Sequence, residues 1–148
     1  MTGSAPHRTV ELDLEIYTFD IDFAAHVSNI TYIRWLEIAR LQLLIDIGIP
    51  TPDLLERGVA PVLMRTEIDY KSPLELGDPV HLSLWLTELR AASATLAFRI
   101  TSGERLAATA VQRGLFVNTA NGRPSRLSSD DRSRLQPYLE TSPREAVG

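Results

Sequence analysis

The segment from Ile30 to Ile47 limits what this chain can fold into more than any other. It holds Tyr32, Ile33, Trp35, Leu36, Ile38, Ala39, Leu41, Leu43, Leu44 and Ile45, with neither Gly nor Pro. Gly48 follows where a helix commonly ends in a left-handed residue, and Pro50 blocks continuation. Ser28 or Asn29 supplies the N-cap, because a short side-chain oxygen there accepts from the free N–H groups of the first turn. The result is a helical rod about 27 Å long. Its mid-helix polar residues are Arg34, Glu37 and Arg40, a narrow i, i+3 stripe. A helix apolar on nearly every side should be buried on most sides. Trp35 and the surrounding Leu and Ile residues therefore read as core.

The flanking sequence supplies what buries it. From Thr9 to Tyr17 the chain alternates, with Val10, Leu12, Leu14 and Ile16 on one side and Glu11, Asp13 and Glu15 on the other. Period two marks a strand with one wet face. Four further stretches, Ala60 to Tyr70, Val80 to Leu89, Ser93 to Thr101 and Arg105 to Asn118, carry the β-branched, aromatic and aliphatic residues of strands. Short breaks between them predict antiparallel pairing in a meander. Thr51 to Gly58 predicts a turn or two of helix with Pro52 at its first position, Asn121 to Pro124 a turn, and Ser129 to Leu139 a short terminal helix. The fold expected is α+β, an antiparallel sheet of about five strands wrapped around one long central helix. With 148 residues the chain is expected to form a single domain, with a core over about 9–139 and flexible tails at 1–8 and 140–148.

Composition narrows the chemistry. Fifteen Lys and Arg against nineteen Asp and Glu give a net charge of −4, which argues against a nucleic-acid-binding domain. The absence of Cys removes thiolate catalysis, disulfides and Cys-ligated metals. No apolar run reaches the roughly 18 residues of a membrane span, and Met1 to His7 lacks the apolar centre of a signal peptide. A soluble, cytoplasmic protein without membrane contact is the expectation. Nucleotide-binding loops, the serine nucleophile elbow and zinc-protease motifs are missing, and His7, His26 and His81 are scattered, so no metal site is expected.

What remains is the loop from Asp20 to Asn29, between the first strand and the start of the buried helix. Free N–H groups and the helix dipole make that start a place for an anion or a developing oxyanion. A carboxylate beside it can serve as base or nucleophile, the pairing that acyl transfer to water requires. The plain alternative is that Asp20 or Asp22 caps a turn and His26 hydrogen-bonds to backbone.

The stretch Thr18-Phe19-Asp20-Ile21-Asp22-Phe23-Ala24-Ala25-His26-Val27-Ser28-Asn29-Ile30-Thr31-Tyr32, continuing through Trp35, Glu37, Ala39 and Arg40, resembles the hotdog-fold thioesterases of the 4-hydroxybenzoyl-CoA thioesterase type. Their signature is roughly D-x-D-x-x-G-H-V-N-N-x-x-Y, followed by an aromatic, Glu and Ala-Arg. Ile68 to Pro73 with Asp78, and Arg105 to Asn118 with Gly122 to Pro124, resemble later parts of the same family, so the likeness spans about residues 9 to 139. The resemblance implies a hotdog fold and hydrolysis of an acyl-CoA or acyl carrier protein thioester. Asp22 would be the catalytic carboxylate, and Asn29 and Ser28 would offer the helix-start backbone to the carbonyl. His26 would orient loop or substrate, Tyr32 would line the pocket, and Glu37 is the runner-up acid, standing between Arg34 and Arg40 in what also reads as an ion-pair stripe. Two departures stand out: the family Gly before His is Ala25, and the first Asn of its pair is Ser28. If the Gly position needs φ > 0, Ala costs about 1 kcal/mol there.

Two function classes follow. One is a thioester hydrolase with no cofactor beyond the coenzyme A of its substrate. The other, motivated by the altered loop, is a hotdog protein that binds an acyl thioester or apolar ligand without turnover. Arg65, Lys71, Arg90, Arg123 and Arg126 are available for coenzyme A phosphates, and Trp35, Trp85 and Phe98 for an apolar pocket or simply for core. A small domain filled by one helix leaves its site outside the core, so the resemblance implies a homodimer or homotetramer with the site shared between protomers.

Overall fold

The computed structural model describes residues 7–141, so most of the two expected tails lies outside the described residues. In chain order the elements are β1 (Val10–Leu14), α1 (Asn29–Asp46), α2 (Thr51–Glu56), β2 (Val59–Tyr70), β3 (Val80–Leu89), β4 (Ser93–Ser102), β5 (Arg105–Asn118) and α3 (Ser129–Leu135). Single 3-10 turns at Thr18–Asp20 and Gln136–Tyr138 complete the chain. One five-stranded antiparallel sheet runs β1-β3-β4-β5-β2, and α1 crosses its inner face.

The termini of α1 follow its capping chemistry. The Ser28 side chain accepts from the Ile30 N–H, and Gly48 takes φ 83° beyond the last turn. Facing it, rows of inward side chains cross the sheet. Val10, Leu84, Phe98, Ala110 and Ile68 are register partners in one row, and Leu12, Leu82, Ile100, Ala108 and Tyr70 in the next. Small alanines on β5 let the helix lie close, while Leu and Phe on β3 and β4 fill the space beside it.

A third row, Leu86, Leu96, Gln112 and Thr66, contains a fully buried amide. Arg40 of α1 donates to Gln112 Oε1 at 2.6 Å, and Gln112 Nε2 donates to Thr66 at 3.0 Å. Both ends of that amide are thus engaged in tying the helix to the edge strand, which is the condition for burying it.

Two expectations need correction. Strands two to five do not form a simple meander: only β3, β4 and β5 do, and β2 pairs with β5 at the far edge. The reason is directional. β1 and β2 run the same way, so the helix between them carries the chain across the sheet from one edge to the other. Nor is α1 buried nearly all round. Ile30, Ile33, Ile38, Leu41 and Ile45 keep 41–60% of their surface exposed, because a single sheet covers one side of a helix and nothing in the described residues covers the other.

The ends of the described chain are tied down. Arg8 N–H donates to Pro137 O at 2.8 Å, Glu140 N–H to Leu86 O at 2.8 Å, and Trp85 Nε1 to Glu140 Oε1 at 2.6 Å. On the outer face, His81 of β3 lies between two acids of β1, with Nδ1 2.8 Å from Asp13 Oδ1 and Nε2 2.5 Å from Glu11 Oε1. Hydrogen bonds to Asp13 and then Glu11 raise the pKa of His81 against a small opposing effect of burial.

Candidate functional site

The two acids of the Asp-x-Asp motif have opposite surroundings. Asp20 is buried, and its carboxylate accepts from the Tyr17 N–H at 2.8 Å and the Thr31 hydroxyl at 3.2 Å. Its backbone carbonyl accepts the Ser28 N–H at 2.8 Å. Asp20 therefore holds the strand exit and the helix start together.

Asp22 lies at the head of a tight hairpin loop closed by the Ile21–Val27 bridge, and its side chain is exposed. Its Oδ1 accepts the Ala24 N–H at 2.9 Å and, more weakly, the His26 N–H at 3.4 Å, while its N–H donates to His26 O at 2.9 Å. Oδ2 has no hydrogen-bond partner among the described residues. One carboxylate oxygen orients the group and the other faces outward.

Ala25 has φ 65°, the only positive φ outside glycine among the described residues. The loop thus keeps the left-handed turn that a glycine would take without strain, and the alanine there carries it at a cost of about 1 kcal/mol.

The helix start supplies a donor. Val27 N–H is bound to Leu74 O, Ser28 N–H to Asp20 O, and the N–H groups of Ile30 and Thr31 to Ser28. The Asn29 N–H has no hydrogen-bond partner among the described residues. It sits in the first turn, where the aligned peptide dipoles concentrate partial positive charge.

Asp22, His26, Val27, Asn29, Tyr32, Tyr70, Lys71, Ser72 and Pro73 line one open cleft of about 460 Å³. Tyr32 is buried in its wall and meets Tyr70 edge-on at 5.0 Å between ring centroids. Burial, with a smaller contribution from Tyr70, pushes its hydroxyl up to about 12, so it stays a neutral donor across the working range. Sequence reasoning did not single out Tyr70. It is the last residue of β2, and only the far-edge placement of that strand brings it to the helix start. The segment that follows is held by Arg105, which donates to Pro73 O at 2.5 Å and to Asp78 at 3.1 Å. Of the five candidate cations, Lys71 lines this cleft; Arg65 is paired with Glu67 and Arg90 with Glu88.

Glu37 stands elsewhere. It lies two turns along α1, about 12 Å from Asn29. There it borders a second cavity of about 300 Å³, walled by Leu41, Leu44, Leu55, Ala60, Val62, Leu96 and Phe116 among others. Arg40 is 3.8 Å from the Glu37 carboxylate, a loose contact beside its 2.6 Å bond to Gln112. The expected ion-pair stripe is thus one weak pair, since Arg34 joins no ion pair among the described residues. Trp35 and Phe98 are buried in the core, and Trp85 is half-buried on the sheet's other face. No described helix is long and apolar enough to cross a membrane.

Comparison with known proteins identifies the family and the fold. The family model of the thioesterase-like superfamily fits residues 17–135, well over half of the chain. A Bacillus subtilis (strain 168) protein named "Putative acyl-CoA thioesterase YneP" is 26% identical over 76 residues, 51% of this chain and 55% of that protein. The match therefore spans about half the length of that relative. Among solved structures, a Thermus thermophilus thioesterase complexed with coenzyme A and Zn is 28% identical with a TM-score of 0.75, covering 86% of this chain and 91% of its own. The fold is shared with Slr0204, a 1,4-dihydroxy-2-naphthoyl-CoA thioesterase from Synechocystis, at a TM-score of 0.80 and 19% identity over 87% of this chain and 96% of that one.

Proposed function

Because the chain belongs to the thioesterase-like superfamily, we propose that it hydrolyses the thioester of an acyl-CoA or acyl carrier protein in the cleft between Asp22 and the start of α1. One observation carries this reading: an exposed carboxylate with a free oxygen and an uncommitted backbone donor line the same cleft. In this scheme the thioester carbonyl oxygen accepts from the Asn29 N–H, and the positive end of the helix stabilises the charge that develops on it. Asp22 then acts in one of two ways. It attacks the carbonyl carbon, expelling the thiolate and leaving a mixed anhydride that water opens, or it takes a proton from a water that attacks instead. Either way the C–S bond breaks, a C–O bond forms, and a free acid and a thiol leave.

The remaining residues hold and orient. Ser28 caps the helix by taking up the Ile30 N–H, which leaves the Asn29 N–H for the cleft, and His26 fixes the loop through both backbone groups. Tyr32 and Tyr70 offer the acyl group an aromatic wall, and Lys71 suits a coenzyme A phosphate. The scheme needs no metal or organic cofactor. The names of the Bacillus subtilis and Thermus thermophilus relatives support coenzyme A as the carrier.

The site is completed by a second copy. β2 is a twelve-residue edge strand, almost wholly exposed, that ends at Tyr70 in the cleft. Such an edge invites pairing, and a protomer docked along it would wall the cleft. Light scattering should give a dimer or tetramer; an active 16.5 kDa monomer would exclude this arrangement.

The activity itself is tested with a panel of acyl-CoA substrates and a free-thiol reporter. Wild type should release thiol and Asp22→Asn should not; equal rates in the two would remove Asp22 from the mechanism. Calorimetric binding of acyl-CoA with no thiol release across the panel would establish instead the non-catalytic binding protein.

A further inference from the structure

The cavity beside the second half of α1 has no part in the hydrolysis scheme, and its wall carries one unanswered polar atom. About 300 Å³ in volume, it lies between α1, from Glu37 to Leu44, and the first residues of β2, with Leu55 of α2 and Leu135 of α3 also in its wall. Glu37 and Arg40 stand at the end nearer the helix start, where Arg40 is already engaged with Gln112. Beyond them the lining is aliphatic and aromatic, with Thr51 the exception. Its Oγ1 is buried with no hydrogen-bond partner, the only such side-chain atom among the described residues. The usual outlets of a helical Thr hydroxyl are not taken. Pro50, not Thr51, is the N-cap of α2, and no carbonyl of the preceding turn accepts from the hydroxyl. A buried hydroxyl left unpaired is a standing cost, and a group that meets it recovers that cost.

This cavity and the cleft at the helix start share one seam. Tyr32 of α1 and Tyr70 of β2 line the cleft, while Leu41 of α1 and Val62 of β2 line the cavity, farther along the same two elements. Glu37 is about 12 Å from Asn29 along the helix and Leu44 about 10 Å beyond that, together about eighteen bonds of an extended chain. The volume is about twice the 150 Å³ that encloses one benzene ring, room for roughly a dozen carbons. We infer that the acyl group is an aliphatic chain of roughly sixteen to eighteen carbons with a hydroxyl or carbonyl oxygen near its far end, and that Thr51 is the residue that recognises this oxygen. The inference rests on the hydrolysis reading, which sets where the thioester lies. The methylenes gain by leaving water for the leucine-rich wall. The tail oxygen exchanges its hydration for the Thr51 hydroxyl, which can both donate and accept. A plain alkyl tail fills the same space but leaves Thr51 unmet, so the hydroxyl sets the discrimination.

Matched thioesters test it: hexadecanoyl-CoA, ω-hydroxyhexadecanoyl-CoA and, as a chain too short to reach the cavity, hexanoyl-CoA. Wild type should favour the hydroxylated long chain over the plain one by about five- to tenfold in kcat/KM. Thr51→Val, which removes the hydroxyl and keeps the shape, should bring that ratio to about one. Ala60→Leu, which fills the cavity from β2, should lower kcat/KM for both long thioesters about tenfold relative to hexanoyl-CoA. Hexanoyl-CoA turnover also reads whether each variant has kept its fold. Equal kcat/KM for the two long chains in wild type, a preference that survives Thr51→Val, or long- and short-chain rates that fall together in Ala60→Leu would each overturn the assignment. If no thioester releases thiol, the hydrolysis reading fails by itself, and calorimetric Kd values for the two long thioesters decide the role of Thr51. Tighter binding of the hydroxylated chain that is lost in Thr51→Val upholds it, and equal binding in wild type overturns it.

Discussion

The start and the middle of α1 each have a carboxylate beside a cavity, yet they offer different chemistry. At its start, Asp22 shares a cleft with an unsatisfied N–H, two tyrosines and a lysine. At mid-helix, Glu37 borders an apolar cavity, and the neighbouring cation is engaged with Gln112. A carboxylate becomes a catalyst when donors are already aimed at the atom that takes up the charge it creates. The helix start provides such a donor because its N–H groups outnumber their partners, while mid-helix N–H groups are consumed in the ladder. The apolar cavity offers room for a chain but no polarisation.

The sharpest way to break this comparison is to exchange the acids' charges for amides. Asp22→Asn should lower kcat by about 10²- to 10⁴-fold with little change in thermal stability. Glu37→Gln should leave kcat/KM within about twofold of wild type. A reversed pattern would move the chemistry along the helix to Glu37. Next in size is the other acid of the motif. Asp20→Ala leaves the Tyr17 N–H and Thr31 hydroxyl without their acceptor and should cost about 2–3 kcal/mol in urea unfolding. Asp22→Asn should cost little stability, which separates a buried, bonded acid from an exposed one within three residues of chain.

A smaller effect bears on the loop itself. Ala25→Gly should stabilise the protein by about 1 kcal/mol, or about 2–4 °C in Tm, by relieving the alanine's φ of 65°. The smallest concerns β1, the strand that feeds this loop. The folded pKa of His81 is raised above its ordinary 6.5, so the stability it contributes is fully present below about 6.5 and fades as pH rises through the folded value. His81→Gln should flatten that decline in the unfolding midpoint, and the His81 ring resonances should titrate above 6.5.

Much of the fold was readable from local chemistry. Ser28, Gly48 and Pro50 bracket α1, and the bounds of β3 and β5 coincide with the breaks at Pro79, Arg90, Glu104 and Thr119. The hairpin-linked strands were readable for the same reason, since a short connection leaves one neighbour available. The place of β2 was not, because its register partners in β5 lie 38 to 59 residues downstream, from Tyr70↔Ala108 to Val59↔Asn118, and no local signal selects them. That one strand explains why Tyr70 escaped notice in the cleft. The exposure of Ile33 and Ile38 was hidden too, because periodicity reports how apolar a helix face is and not whether the chain has anything to lay over it. Asp22 and Asn29 stood out through their motif, but the contrast between a buried Asp20 and an exposed Asp22 needed the hydrogen bonds to be seen.

The strand order has a consequence for how the protein comes into being on the ribosome. β1 pairs with β3, and β2 pairs with β5, so neither of the two strands in the first seventy residues has its partner strand within that stretch. At about 5–20 residues per second, the nascent chain exposes two unpaired edges and an apolar helix for several seconds before the β3–β4–β5 meander emerges to receive them. Chains halted before β5 have no partner for β2 and no alanine-lined floor for the helix. The edge opposite β1 and the floor under the helix are therefore finished only when β5 arrives.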